Sequence, residues 1–156
     1  MLKIAVVDDE IVFVESLINK ITAVCEKLNF EFKIDKYSNG FDILENYSKY
    51  HLIFLDIEMP SIDGIATAKR INELKGSAEI PFIVYVTSHD ELVFDALKSF
   101  PYSFIRKSKI ESDLYECINR INNSFEEQVT DVYVKGEKVD TLKLKSGELI
   151  WIDIIK

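Results

Sequence analysis

Two periodicities alternate along the first 125 residues. Apolar-rich runs at residues 3–7, 31–37, 51–55, 83–86 and 102–106 have the length and the β-branched or aromatic content of strands. Between them, apolar positions recur at helical spacing. Val14, Leu17, Ile18, Ile21, Val24, Cys25 and Leu28 form the first such stripe, and Ile110, Leu114, Cys117, Ile118 and Ile121 form the last. A short helix opens at Phe41, another covers 65–74, and a weak one with few large apolar anchors covers 91–99. Ser38-Asn39-Gly40, the stretch 60–64 and Lys75-Gly76-Ser77 read as turns, Pro81 leads the fourth strand, and Asn122-Asn123-Ser124 is expected to break the last helix. Five strand–helix alternations with right-handed crossovers predict an α/β fold: a doubly wound, five-stranded parallel sheet with helices on both faces.

The pattern changes after residue 125. Residues 130–155 give short alternating runs at Val132 and Val134, Leu142 and Leu144, and Leu149 and Trp151, and Lys145-Ser146-Gly147-Glu148 is a hairpin turn signal. The expected organisation is a domain over 1–125, followed by a linker and a β-rich extension over 126–156. Two hairpin-like strands are marginal alone, so pairing between copies of the chain, a homodimer, is an expected way to order the extension.

Composition narrows the class. With 156 residues and 47% hydrophobic content, the chain can bury one good core with an appendage. No run approaches 18 apolar residues and Met1 leads straight into a strand, so a cytoplasmic address without membrane contact is expected. Cys25 and Cys117 fall on apolar helix faces, as core fillers in a reducing compartment. The net charge is −8 and lies wholly in the first 127 residues, a surface that repels nucleic-acid phosphates. No Gly-x-Gly-x-x-Gly or Walker A pattern follows any strand.

The chemistry sits at strand ends. Asp8 and Asp9 follow the first strand and Asp56 follows the third. In a parallel sheet these ends converge on one crevice, and three carboxylates there repel unless a cation joins them or a proton is taken up. A hard divalent ion, most simply Mg²⁺, is implied. The fourth strand delivers Thr87-Ser88 to the same edge, and the fifth delivers Lys107-Ser108.

The order Asp8-Asp9, Asp56-Ile57-Glu58-Met59-Pro60, Thr87, Lys107 resembles the receiver domain of two-component response regulators over residues 1 to 125. The resemblance implies a flavodoxin-like fold with strand order 2-1-3-4-5, and transfer of a phosphoryl group from a phosphohistidine of a sensor histidine kinase to Asp56. It implies Mg²⁺ ligands in Asp9, Asp56 and the main-chain carbonyl of Glu58, with Asp8 bound directly or through water. Lys107 and Thr87 would contact phosphoryl oxygens. Glu58 and His89 would tune hydrolysis of the acyl phosphate, and Phe104 would occupy the aromatic switch position coupled to Thr87. His51, at the opposite end of its strand, is given no chemistry. One departure concerns Ser108, where the family usually has a proline, so a trans Lys107–Ser108 bond is expected. Residues 149–155 look like the beginning of a LytTR-type DNA-binding output domain, interrupted at residue 156. Promoter DNA would then be bound only through a complete output domain. On this reading the chain is a switch with self-catalysed phosphorylation and dephosphorylation, not an enzyme in the usual sense. Two other readings share the strand-end acids: a docking or dimerisation module that works without phosphorylation, and a Mg²⁺-dependent phosphatase with an aspartyl intermediate.

Overall fold

The computed structural model describes residues 1–29, 31–125, 127–134 and 137–145. Five strands, β1 (Leu2–Val7), β2 (Phe32–Tyr37), β3 (Leu52–Leu55), β4 (Phe82–Thr87) and β5 (Ser103–Arg106), form one sheet in the order β2-β1-β3-β4-β5. Every neighbouring pair is parallel, and the expected strand order is borne out. The helices between them are α1 (Ile11–Lys27), α2 (Gly40–Asn46), α3 (Gly64–Lys75) and α4 (Val93–Leu97), and α5 (Ile110–Phe125) follows β5.

Alternation along the strands divides the core into two layers. Ala5 and Val7 of β1, Ile53 and Leu55 of β3, and Ile83 and Tyr85 of β4 pack with Ile43 of α2, Ala68 and Ile71 of α3, and Ala96 of α4. On the other side chains of β1 and β3, Ile4, Val6, Leu52 and Phe54 are equally buried, and α1 contributes Val14, Leu17, Ile21 and Cys25 as a buried stripe. Burial pushes the Cys25 thiol up to about 12, with the neighbouring Glu26 charge adding to it, so this cysteine is an inert filler.

Local chemistry explains the helix starts. Asn39 is the N-cap of α2 and accepts from the Asp42 N–H, and Asp63 caps α3 by accepting from Ala66 N–H at 2.7 Å. The weak fourth helix is a 3₁₀ turn over Asp90–Leu92 followed by only five α-helical residues, with Ala96 its sole buried side chain. Phe94, Leu97 and Phe100 are left exposed there. The expected break at Asn122-Asn123-Ser124 does not occur, since α5 continues to Phe125. Ile121 is fully buried within the segment, and the Ser124 hydroxyl donates to the Ile121 carbonyl at 2.6 Å, so the serine bonds back into the helix it was expected to end.

The chain divides into two compact units, residues 1–117 and 118–156, with the division inside α5. In the second unit β6 (Glu127–Val134) and β7 (Glu137–Lys145) pair antiparallel, with an irregularity between Val132 and Tyr133. The turn expected at 145–148 and the run from Leu149 through Trp151 lie outside the described residues.

Candidate functional site

Parallel register brings the strand ends level. Val7 pairs with Leu55, Leu55 with Tyr85, and Thr87 with Arg106, so Asp8, Asp56, Thr87 and Lys107 emerge along one carboxyl edge of the sheet. The Asp56 N–H still bonds to the Val7 carbonyl at 2.9 Å, which ties the first residue beyond β3 to the end of β1.

Asp8 and Asp56 are buried, at 3% and 5% exposure, while Asp9 is exposed. One carboxylate oxygen from each lies within 4.8 Å of the others. Each buried acid also accepts a local backbone hydrogen bond: Asp8 Oδ1 from the Glu10 N–H at 2.8 Å and Asp56 Oδ1 from the Ile57 N–H at 2.9 Å. Lys107 Nζ donates to Asp8 Oδ2 at 2.7 Å and stands 3.4 Å from Glu10 Oε1 and 3.6 Å from Asp56 Oδ2. The ammonium is thus held closest by Asp8. The Lys107–Ser108 bond is trans, the one cis bond among the described residues being Ile80–Pro81.

Burial, and after it the Asp8 charge, raises the Asp56 carboxyl to about 6, against the lowering effect of Lys107 and the Ile57 N–H. For Lys107, burial lowers the pKa, but the hydrogen bond to Asp8 and the charges of Asp56, Asp8 and Glu10 outweigh it and leave the lysine above its ordinary value. Lysine is therefore charged, and one acid of the cluster is poorly accommodated as a carboxylate. Oxygen-only donors and an acid displaced by its neighbour's charge fit a hard divalent cation.

The sign of the resulting pH dependence follows. Between the ordinary carboxylate value of 3.8 and about 6, the folded chain holds the Asp56 proton and the unfolded chain does not, so this group favours folding below the window and loses that effect as pH rises through it. Without divalent metal, the stability of the parent relative to Asp56→Asn is expected to fall between about pH 4 and 6 in urea titrations. A difference that stays flat over that range counts against the raised carboxyl.

Thr87 is buried at the end of β4, and its Oγ1 accepts from the His89 N–H at 3.1 Å, which leaves the hydroxyl proton available to donate. His89 lies between two acids, with Nε2 2.9 Å from Glu58 Oε2 and Nδ1 3.0 Å from Glu91 Oε1. The hydrogen bond to Glu91, helped by the charges of Glu58, Glu91 and Asp56, raises the imidazole pKa. This contact joins the loops after β3 and β4. A cavity of about 240 Å³ beside it is lined by Asp9, Glu10, Asp56, Glu58, Ser88, His89 and Lys107. Phe104 is half-buried and stacks on Tyr85, with ring centroids 5.2 Å apart. The Tyr85 hydroxyl in turn bonds to Ser99 Oγ at 2.7 Å. His51 Nδ1 accepts from the Lys3 N–H at 3.0 Å, at the opposite end of β3 from Asp56.

Glu10, Phe13, Tyr85 and Glu91 were not singled out by the sequence. Glu10 had a signal, because it extends the Asp8-Asp9 pair; the Phe13 ring, 4.1 Å from Lys107 Nζ, had none.

Residues 4–119 match the family model described as the response regulator receiver domain. Protein MrkE of Klebsiella pneumoniae is 30% identical over 97 residues, covering 61% of this chain and 35% of that protein. The crystal structure of its response regulatory domain superposes with a TM-score of 0.65 at 27% identity, covering 78% of this chain and 95% of that one. The transcriptional regulatory protein YpdB of Escherichia coli K12 is 28% identical over 122 residues, 75% of this chain and 49% of that protein. The sensory transduction protein LytR of Staphylococcus saprophyticus is 26% identical over 144 residues, 87% of this chain and 55% of that protein. The chain spans about half the length of these relatives or less. With the family's motif order at the strand ends, its sheet order in the fold and its sequence model matched from residue 4 to residue 119, the chain belongs to the receiver domain family of two-component response regulators.

Proposed function

We propose that the chain acts in the cytoplasm and accepts a phosphoryl group on Asp56 from a phosphohistidine of a sensor histidine kinase, with Mg²⁺ bound by Asp9, Asp56 and the Glu58 main-chain carbonyl, and by Asp8 directly or through water. The observation that carries this reading is the charged Lys107 set between Asp8 and Asp56 in a three-carboxylate cluster. In the transfer an Asp56 carboxylate oxygen forms the new P–O bond as the donor's P–N bond breaks, and the electron pair leaves with the imidazole nitrogen. The bound cation would supply positive charge to the spread-out charge of the transferring group. Lys107 neutralises charge from the β5 side, and the Thr87 hydroxyl donates to a phosphoryl oxygen from the β4 side. His89, clamped by Glu58 and Glu91, stands at the cavity mouth where attacking water would pass. Ile11 and Val12, exposed on the first turn of α1 beside Asp8 and Asp9, offer an apolar rim for a docking donor protein.

The product is a switch. Thr87 and Phe104 would change packing on phosphorylation, with Tyr85 stacked against the ring as the immediate recipient. A transcriptional output is supported by the name of the YpdB relative and by the resemblance of residues 149–155 to the start of a LytTR-type domain. Incubation with acetyl phosphate and Mg²⁺, followed by intact mass, tests the acceptor role. Uptake of one phosphoryl group per chain is expected, and no mass gain refutes the reading.

Metal binding has its own test. A cation that binds only the folded state at about 100-fold over its Kd adds about 2.7 kcal/mol, which is several degrees in Tm for a domain of this size. Mg²⁺ is expected to raise Tm on that scale. Asp9→Ala should remove most of the shift, even if the metal-free variant is the more stable because one repelling charge is gone. An unchanged metal response in Asp9→Ala places the ion elsewhere.

A further inference from the structure

The active-site lysine has an unusual problem of placement. Its four-carbon stem fixes the ammonium poorly, and Asp8 at 2.7 Å and Glu10 at 3.4 Å both hold it more closely than Asp56 at 3.6 Å. Glu10 is a solvent-exposed acid that draws the charge outward. Yet the Lys107 side chain is only 13% exposed. Against it lies Phe13, the third residue of α1, whose ring centroid is 4.1 Å from Nζ. The ring is also part of the wall of an open groove of about 660 Å³, together with Lys107, Ser108 and Ile110.

We propose that Phe13 is a positioning residue for phosphoryl transfer: its ring face holds the Lys107 ammonium at the acid cluster and keeps water from that side of it. The physical basis is the attraction of a cation to the negative face of an aromatic ring within about 6 Å, which strengthens when the cation is desolvated. A ring face is a broad partner. As the ammonium turns from Asp8 toward an oxygen of the phosphoryl group on Asp56, it keeps that attraction, whereas a second carboxylate in the same place would compete with the phosphoryl oxygen.

This role rests on Asp56 being the acceptor, and the test separates the two. Phosphorylation by acetyl phosphate at saturating Mg²⁺ is timed by intact mass for the parent, Phe13→Leu, Phe13→Tyr and Lys107→Ala, and for Phe13→Leu combined with Lys107→Ala. Leucine keeps apolar bulk but has no ring face, so Phe13→Leu is expected to slow uptake about 5-fold. Phe13→Tyr should stay within about 2-fold of the parent, because the ring face is retained. In the Lys107→Ala background, Phe13→Leu should add nothing, since the ring acts through that ammonium. Proton NMR gives a readout that needs no phosphorylation: the Lys107 ε-methylene protons, shifted upfield by the ring in the parent and Phe13→Tyr, should return toward the ordinary lysine position in Phe13→Leu. Equal slowing by Leu and Tyr, a Leu variant as fast as the parent, or the same loss without Lys107 overturns the positioning role. A parent that takes no phosphoryl group overturns the acceptor reading and the role with it, whatever the spectrum shows.

Discussion

Asp56→Asn is expected to take up no phosphoryl group from acetyl phosphate and Mg²⁺ while folding at least as well as the parent. The two halves come from the same surroundings. Asp56 is buried beside Asp8, and its carboxyl is pushed to about 6, so ionising it opposes the fold. Asparagine has nearly the same shape and no charge, and its side-chain oxygen can still accept from the Ile57 N–H that Asp56 Oδ1 accepts at 2.9 Å. The metal-free variant should therefore melt at or above the parent's temperature at pH 7. As a nucleophile, however, the amide oxygen lacks the negative charge an acyl phosphate requires. Intact mass and a melting curve on the same sample check both halves. Full labelling of the variant would move the acceptor to another residue, and a variant that melts well below the parent would mean that Asp56 holds the fold through its charge.

Much of this site was legible because its parts lie at strand ends. An apolar run followed by Asp8, Asp56, Thr87 or Lys107 reports where a side chain leaves the ladder, and parallel register does the rest. Contacts that depend on a helix's rotation about its axis were not legible. Phe13 fits the helical pattern of α1 as well as any apolar residue, and only the packed structure brings it over Lys107. The same is true of Tyr85, which reads as one more residue of an apolar strand until its ring meets Phe104 and its hydroxyl meets Ser99.

Helix ends were read least well. Asn122-Asn123-Ser124 has low helical propensity, yet α5 runs through it because propensity is worth tenths of a kcal/mol per residue and burial of a side chain such as Ile121 is worth more. In the fourth helix the balance runs the other way. With Ala96 as the only buried apolar side chain over residues 91–99, little holds the stretch as α-helix, and only Val93–Leu97 is α-helical.

Gly64→Ala is expected to be the most damaging alanine substitution among the described glycines, at about 3 kcal/mol or more, because its methyl group would meet backbone with nowhere to go. A Cβ at Gly64 would lie 2.0 Å from the Asp56 carbonyl oxygen and 2.9 Å from both the Asp56 carbonyl carbon and Ile57 Cα. No rotamer change relieves a clash with main chain. The Gly64 N–H bonds to the Ile57 carbonyl at 2.8 Å, so the first turn of α3 is fastened to the very segment it would have to push away. That segment carries the acceptor, and its displacement should reduce the Mg²⁺ response and phosphoryl uptake together with stability. Gly76 is the informative comparison. It has φ +59° and ψ −123°, a conformation open chiefly to glycine, where an alanine is strained by about 1 to 3 kcal/mol, but nothing lies within 4 Å of its added Cβ. If backbone conformation decided the cost, Gly76→Ala would be the worse variant; if close approach decides it, Gly64→Ala will be. Urea midpoints of the two variants, measured without metal, separate these cases, and a Gly64→Ala protein no less stable than Gly76→Ala would show that α3 can retreat from the Asp56 carbonyl at little cost.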